Sequence, residues 1–174
     1  MAMLMSSGAA QSAHRDHPPS STVWTIGHSR APFERFVELL RYAGIEVLAD
    51  VRSIPYSRHA PHAARERLGP ALTAQGIRYV FLGDQLGGRP SDPKVLDAEG
   101  RPDYGKMAAT DRFRAGLETL LDLARSNRTC IMCSEEDPNH CHRTRLIAPV
   151  LLERRVAIIH LRHDGTSQPH DRFF

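Results

Sequence analysis

VWTIGHSRAPFERFVELLRYAGIEVLADV, residues 23–51, is the stretch whose reading decides the fold. It opens on a short β-rich run, Val23 to Ile26, stopped by Gly27. Pro32 suits the first turn of a helix, and Phe33, Phe36, Val37, Leu39 and Leu40 then recur at helical spacing until Gly44. A second strand-like run, Glu46 to Val51, follows. A strand, one crossover helix and a second strand make a βαβ unit, with right-handed crossing the default.

The alternation continues outward from that unit. GIRYVFL (76–82), TCIMC (129–133) and VAIIHL (156–161) read as the third, fourth and fifth strands. Pro55, Pro61 and Pro70 break residues 53–75 and leave short helices near 63–68 and 70–75. Residues 107–125 predict the clearest helix, with Met107, Phe113, Leu117, Leu120, Leu121 and Ala124 on one face. Asp137 and Pro138 read as cap and first turn of a helix carrying Leu146, Ile147, Val150, Leu151 and Leu152. The irregular connection from Gly83 to Gly105 is long enough to suggest a functional loop.

These elements predict a single-domain, three-layer α/β/α fold with a mostly parallel sheet of about five strands. The domain spans residues 22–163. A flexible N-terminal tail, 1–21, precedes it, and a C-terminal tail, 164–174, follows, with Phe173 and Phe174 pinning it back. A chain of 174 residues with 41% apolar content supports one core without metal or disulfide staples. The formal charge of +3 permits a phosphate-bearing partner without demanding one. Cys130, Cys133 and Cys141 are odd in number and clustered, which predicts free thiols in a reducing cytoplasm. No run is long and apolar enough to span a membrane, and the N-terminus lacks the features of a secretory signal. The oligomeric state is not legible.

Ligands in such folds sit beyond the carboxyl ends of the strands, and the polar residues gather there. His28 and Ser29 follow the first strand, Asp50 and Arg52 end the second, Cys133 ends the fourth and His160 closes the fifth. The period of two sets Cys130 on the opposite face from Cys133, as the core cysteine.

Four blocks in this order resemble the DUF488 family, a domain of unknown function. They are Thr25-Ile26-Gly27-His28-Ser29, Asp50 to Arg58, Leu86-Gly87-Gly88-Arg89, and Met132 to Glu136 continued by Cys141-His142-Arg143. The resemblance runs from about residue 23 to 161. It implies a compact α/β fold and a suspected active site, and no known reaction.

The residues themselves allow three chemistries. Cys133, leaving a strand just before a helix start, is a candidate nucleophile, since backbone N–H groups there lower a thiol pKa and stabilise an oxyanion. His28 or His142 would accept its proton and Asp50 would orient an imidazole, while the neighbouring Glu135 and Glu136 oppose thiolate formation. A zinc reading takes Cys133, Cys141 and His142, with His28 or His140. The two cysteines are eight positions apart, unlike a tight knuckle, so no metal or cofactor is assigned. The plain reading makes Asp137 a cap, Cys141 an apolar plug and His142 a buried hydrogen-bonding group. In it, Glu135 or Glu136 pairs with Arg143 or Arg52.

Asp50 and Arg52 set a base and an anion-binding fork two residues apart. Arg58 and Arg89 extend the clamp, and Tyr56 offers a stacking platform for a nucleobase. Ser29, Glu135 and Arg143 join them as substrate-binding candidates. The alternative is an Asp50–Arg52 surface pair with Tyr56 packed under a loop. No dinucleotide fingerprint, Walker A motif, nucleophile elbow or zinc-protease helix is present. The leading expectation is therefore an enzyme with hydrolytic or nucleophilic chemistry on a phosphate-bearing nucleotide or nucleic acid. A non-catalytic nucleotide- or nucleic-acid-binding module and a zinc-supported interaction domain are the alternatives.

Overall fold

The structure is a computed structural model that describes residues 21–170; the expectations for residues 1–20, Phe173 and Phe174 lie outside them. Six strands form one sheet in the order β3-β2-β4-β1-β5-β6. They are β1 (Ser21–Gly27), β2 (Val47–Asp50), β3 (Arg78–Phe81), β4 (Thr129–Cys133), β5 (Val156–Leu161) and β6 (Ser167–Pro169). The first five run parallel to one another. β4 inserts between β1 and β2, so the two strands of the opening βαβ unit share a sheet without touching. Gly27 lies beside Cys133, and Asp50 beside Met132, at one end of the sheet.

Two apolar clusters cover the two faces. One joins Ile26, Leu48, Cys130 and Met132 to Phe36 and Leu40 of α1 (Phe33–Tyr42) and to Leu68 and Leu72 of α2 (Arg65–Thr73). The other joins Val23, Ala49 and Ile131 to Phe113, Leu117 and Leu120 of the long helix and to Leu151 near the C-terminus. The sheet alternates its side chains between them, which makes the three layers. Cys130 is fully buried in the first cluster, on the core face as its register predicts.

Four local details differ from the sequence reading. The broken stretch after β2 holds one helix, α2, with Pro70 inside it. Pro70 and Glu66 are exposed, so the hydrogen bond that the proline cannot make is lost at the surface and not in the core. After the single turn α3 (Gly83–Leu86), the expected helix 107–125 is two, α4 (Tyr104–Ala108) and α5 (Asp111–Ser126). Thr110 separates them because its hydroxyl caps α5, accepting from the Phe113 N–H at 3.2 Å.

The helix expected from Pro138 is also divided, into a 3-10 turn at Pro138–His140, a π-helical turn at Arg143–Ile147 and α6 (Ala148–Glu153). Pro149 has no N–H to give to an α-helical ladder at that point, and the wider turn relieves it. Finally, the chain beyond 163 is not simply a tail. A turn at Asp164, whose carboxylate accepts from the Thr166 N–H at 2.8 Å, folds β6 back on β5 as an antiparallel edge strand.

Candidate functional site

A cavity of about 370 Å³ opens where β1, β2 and β4 end. A strand-order reversal lies there, since the chain reaches β2 and β3 before returning to β4. Cys133, Cys141 and His142 are buried at its floor, while Tyr56, Arg89, Glu135 and His140 stand exposed around it. Arg52, Ser53, Ile54, Gly88, Tyr104 and Ser134 complete the walls.

His142 is fixed by its far nitrogen. Nε2–H donates to the Val51 carbonyl at 2.9 Å, which leaves the Nδ1 lone pair aimed at Cys133 Sγ (3.4 Å) and Cys141 Sγ (3.7 Å). Cys133 also donates to the Glu135 carboxylate at 3.0 Å. Cys141 Sγ instead accepts from Arg143, through its backbone N–H at 3.4 Å and its Nε–H at 3.2 Å. The two thiols therefore differ. The hydrogen bond it donates to Cys141, burial and the Glu135 carboxylate push the Cys133 thiol far up, so Cys133 keeps its proton. The hydrogen bond donated by Cys133, outweighing burial, and the charge of Arg143 hold Cys141 down as the thiolate of the pair.

The glycines of the motif blocks bring these pieces together. A Cβ on Gly27 would stand 1.7 Å from the Glu135 carbonyl oxygen, so only glycine lets the 134–137 loop cross the end of β1. A Cβ on Gly88 would stand 2.7 Å from His142 Cβ and Cγ. Glu136 pins the same loop by a paired contact with Arg162, both oxygens at 2.7 Å, and this bond holds its carboxyl below the usual range.

Several sequence candidates lie elsewhere. Asp50 and Arg52 do not stand free at the rim as base and anion fork. Asp50 is fully buried and accepts from Arg52 Nε (2.8 Å), Arg52 Nη2 (2.6 Å), the Arg52 N–H (3.1 Å) and the Tyr79 hydroxyl (2.7 Å). Arg52 borders the cavity, yet its donors are spent on Asp50, the Ala63 carbonyl at 2.8 Å and His28 Nε2 at 3.1 Å. The burial that made Asp50 end an apolar strand is what removes it from solvent.

His28 is likewise committed. Its Nδ1–H donates to the Ser29 carbonyl at 2.9 Å, so its other nitrogen accepts from Arg52 rather than from a thiol. Burial and the Arg52 charge lower its pKa from 6.5 to about 4. Ser29, half-buried with φ 41°, donates its N–H to Ser134 O and does not line the cavity. Arg143 does not line the cavity. It is buried and bonds Cys141, Thr25 Oγ1 (3.1 Å) and the carbonyl oxygens of Glu135 (2.5 Å) and Glu136 (3.4 Å). Arg58 is exposed and outside the cavity lining.

The cavity thus collects Cys133, His142, Arg52, Tyr56, Arg89 and Glu135 from the sequence candidates. Cys141 and His140, candidates of the zinc reading, line it too, with Ser53 and Tyr104 among residues the sequence did not single out. Among the described residues, one group of cysteines, histidines and acids has donor atoms close enough to share a metal ion: Cys133, Cys141 and His142, all within 4.8 Å of one another.

A family model described as a domain of unknown function, DUF488, matches residues 32–150. That match contains the Asp50, Gly87-Gly88 and Cys133–Arg143 blocks, while the Thr25–Ser29 block precedes it. No curated protein and no solved structure matches the chain.

Proposed function

Because the chain belongs to the DUF488 family, whose description names no activity, we propose its function from the site alone. It is an enzyme that hydrolyses a phosphate-bearing nucleotide or nucleic-acid substrate in the cavity above Cys133, Cys141 and His142. One observation carries this reading: two thiols, an imidazole lone pair and a carboxylate meet at the floor of an open polar cavity. Such a meeting costs stability and fills no need of the two apolar clusters, so it belongs to function.

Arg89 suits the anion. Its backbone N–H is anchored on Ser53 Oγ at 2.9 Å, and its exposed guanidinium makes no ion pair with a described residue. It borders both this cavity and a second one of about 360 Å³, leaving room on either side for a nucleotide held by its phosphate. Tyr56, 60% exposed, offers a ring for base stacking. Glu135 takes the proton of a water that attacks phosphorus. The bond from phosphorus to the leaving oxygen breaks, and that oxygen receives the proton. A covalent route through Cys133 has less support, because Cys133 is the partner that keeps its proton.

No helix among the described residues is long and apolar enough to cross a membrane, and the three cysteines are free. Free thiols at a reactive site favour the cytoplasm as the place of action.

The test is a turnover screen of mononucleotides, oligonucleotides and simple phosphomonoesters with wild type, Glu135→Gln and Arg89→Ala. Loss of a general base lowers the rate about a hundredfold or more in E135Q at an unchanged melting temperature. R89A raises KM and spares kcat. Full turnover by E135Q would overturn the assigned role, and tight binding of nucleotides with no turnover would make the protein a binding module.

A further inference from the structure

We infer that Cys133, Cys141 and His142 bind one transition-metal ion of the zinc class, with its fourth coordination position open to the cavity. A tetrahedral ion with bonds of about 2.3 Å to sulfur and about 2.0 Å to nitrogen sets sulfur–nitrogen edges of about 3.5 Å. His142 Nδ1 stands 3.4 Å from one sulfur and 3.7 Å from the other. All three donor atoms lie within 4.8 Å of one another. Both sulfur–nitrogen edges are already those that an ion bound by the three atoms requires.

The surroundings are those of a ligand set. Metal-bound histidines donate their other ring N–H to a carbonyl or carboxylate, which fixes the tautomer and aims the free lone pair. His142 does this through Val51 O at 2.9 Å. Ligating thiolates gather N–H donors, and Cys141 Sγ receives two from Arg143. Two thiolates cancel the charge of a divalent ion, which makes burial of both sulfurs tolerable. Thiolate and imidazole donors select zinc-class ions over magnesium or calcium.

Three protein ligands leave one position, and all three residues line the cavity from which a fourth ligand would come. A water bound there is acidified by the ion, and Glu135, 3.0 Å from Cys133 Sγ, stands beside it to take the proton. The use of the ion in hydrolysis rests on the proposed function; its binding does not. The two apolar clusters are complete without it, so the ion serves reaction rather than folding.

The experiment measures metal content by elemental mass spectrometry in full-length protein purified under reducing conditions without added metal. Cobalt(II) is then titrated into chelator-stripped protein and followed by thiolate-to-cobalt charge-transfer absorption. About one zinc-class ion per chain and a saturable tetrahedral cobalt spectrum are expected. Cys133→Ser, Cys141→Ser and His142→Ala each lose at least tenfold in ion content, Cys130→Ala retains it, and Arg143→Met weakens binding by about 10- to 100-fold. Stripped protein still melts cooperatively. Absence of bound ion and of a cobalt spectrum overturns the inference, as does a Cys133–Cys141 disulfide in the purified chain. Turnover that survives complete metal removal overturns the ion's role and leaves the hydrolase standing. A stoichiometric ion with no turnover on any phosphate-bearing substrate supports the site and overturns the hydrolase.

Discussion

Replacing Asp50 by asparagine separates a structural role for this residue from a chemical one. The carboxylate is fully buried and accepts four hydrogen bonds, three from Arg52 and one from Tyr79. The Arg52 side chain is itself only 2% exposed. The substituted amide would remove the charge and turn an N–H donor toward Arg52 Nη2, leaving a buried guanidinium uncompensated. Removing one partner of such a pair costs about 3–5 kcal/mol. For a chain of this size that lowers the melting temperature by roughly 6–20 °C. Urea unfolding followed through Trp24, the single tryptophan, reads the loss as a lower midpoint at unchanged slope. An Asp50→Leu, Arg52→Met double variant recovers part of it, because the unpaired charge is gone. Wild-type stability in D50N together with abolished turnover would refute this reasoning and return Asp50 to the chemistry.

Acid weakens the fold through His28. Its pKa falls from 6.5 to about 4 on folding, so between those values the unfolded chain binds a proton that the folded chain refuses. Stability is complete above pH 6.5 and declines toward pH 4, by on the order of 3 kcal/mol from this group. Urea midpoints at about pH 7 and about pH 4.5 measure it, and a His28→Asn variant that kept the whole decline would contradict the assignment. Gly88→Ala drives a Cβ to 2.7 Å from His142. Overpacking costs about 1–3 kcal/mol, and displacement of the imidazole lowers turnover at least about tenfold; a variant with wild-type kinetics would show that Gly88 does not position His142. Tyr56→Ala leaves stability within about 0.5 kcal/mol, since the ring is 60% exposed. It weakens nucleotide binding by about 1–3 kcal/mol and spares simple phosphomonoesters; equal loss on both would exclude stacking.

The α/β architecture was legible because its signals are local. Apolar runs such as Val47–Asp50 and Thr129–Cys133 are buried at every position, as central parallel strands require, and α1 carries its apolar face at helical spacing. The position of β4 between β1 and β2 was not legible, because strand order is fixed by packing across the whole sheet. The edge strand β6 hid behind a polar composition that a one-sided, antiparallel edge tolerates. At the site, the sequence placed its candidates at the carboxyl ends of the strands, where the cavity opens, and Arg52, Tyr56, Arg89, Cys133, Glu135 and His142 line it. It gave Asp50, His28 and Arg143 contact with substrate because residue type and strand position look alike for a group on a rim and a group beneath it. Burial separates them, and only the fold sets burial. Cys141 shows the reverse. Its distance of eight positions from Cys133 argued against a shared site, yet the turn at Pro138–His140 folds the chain back and returns it to the end of β4.

The claim that chemistry takes place at the floor of this cavity is tested most directly by Cys133→Ser, a change of one atom beside His142 and Glu135. Turnover of a phosphate-bearing substrate by this variant is compared with wild type, with melting curves taken on the same samples. The account predicts a rate at least about a hundredfold lower in a chain that still melts cooperatively. An undiminished rate in C133S would contradict it and move the active site away from Cys133, Cys141 and His142.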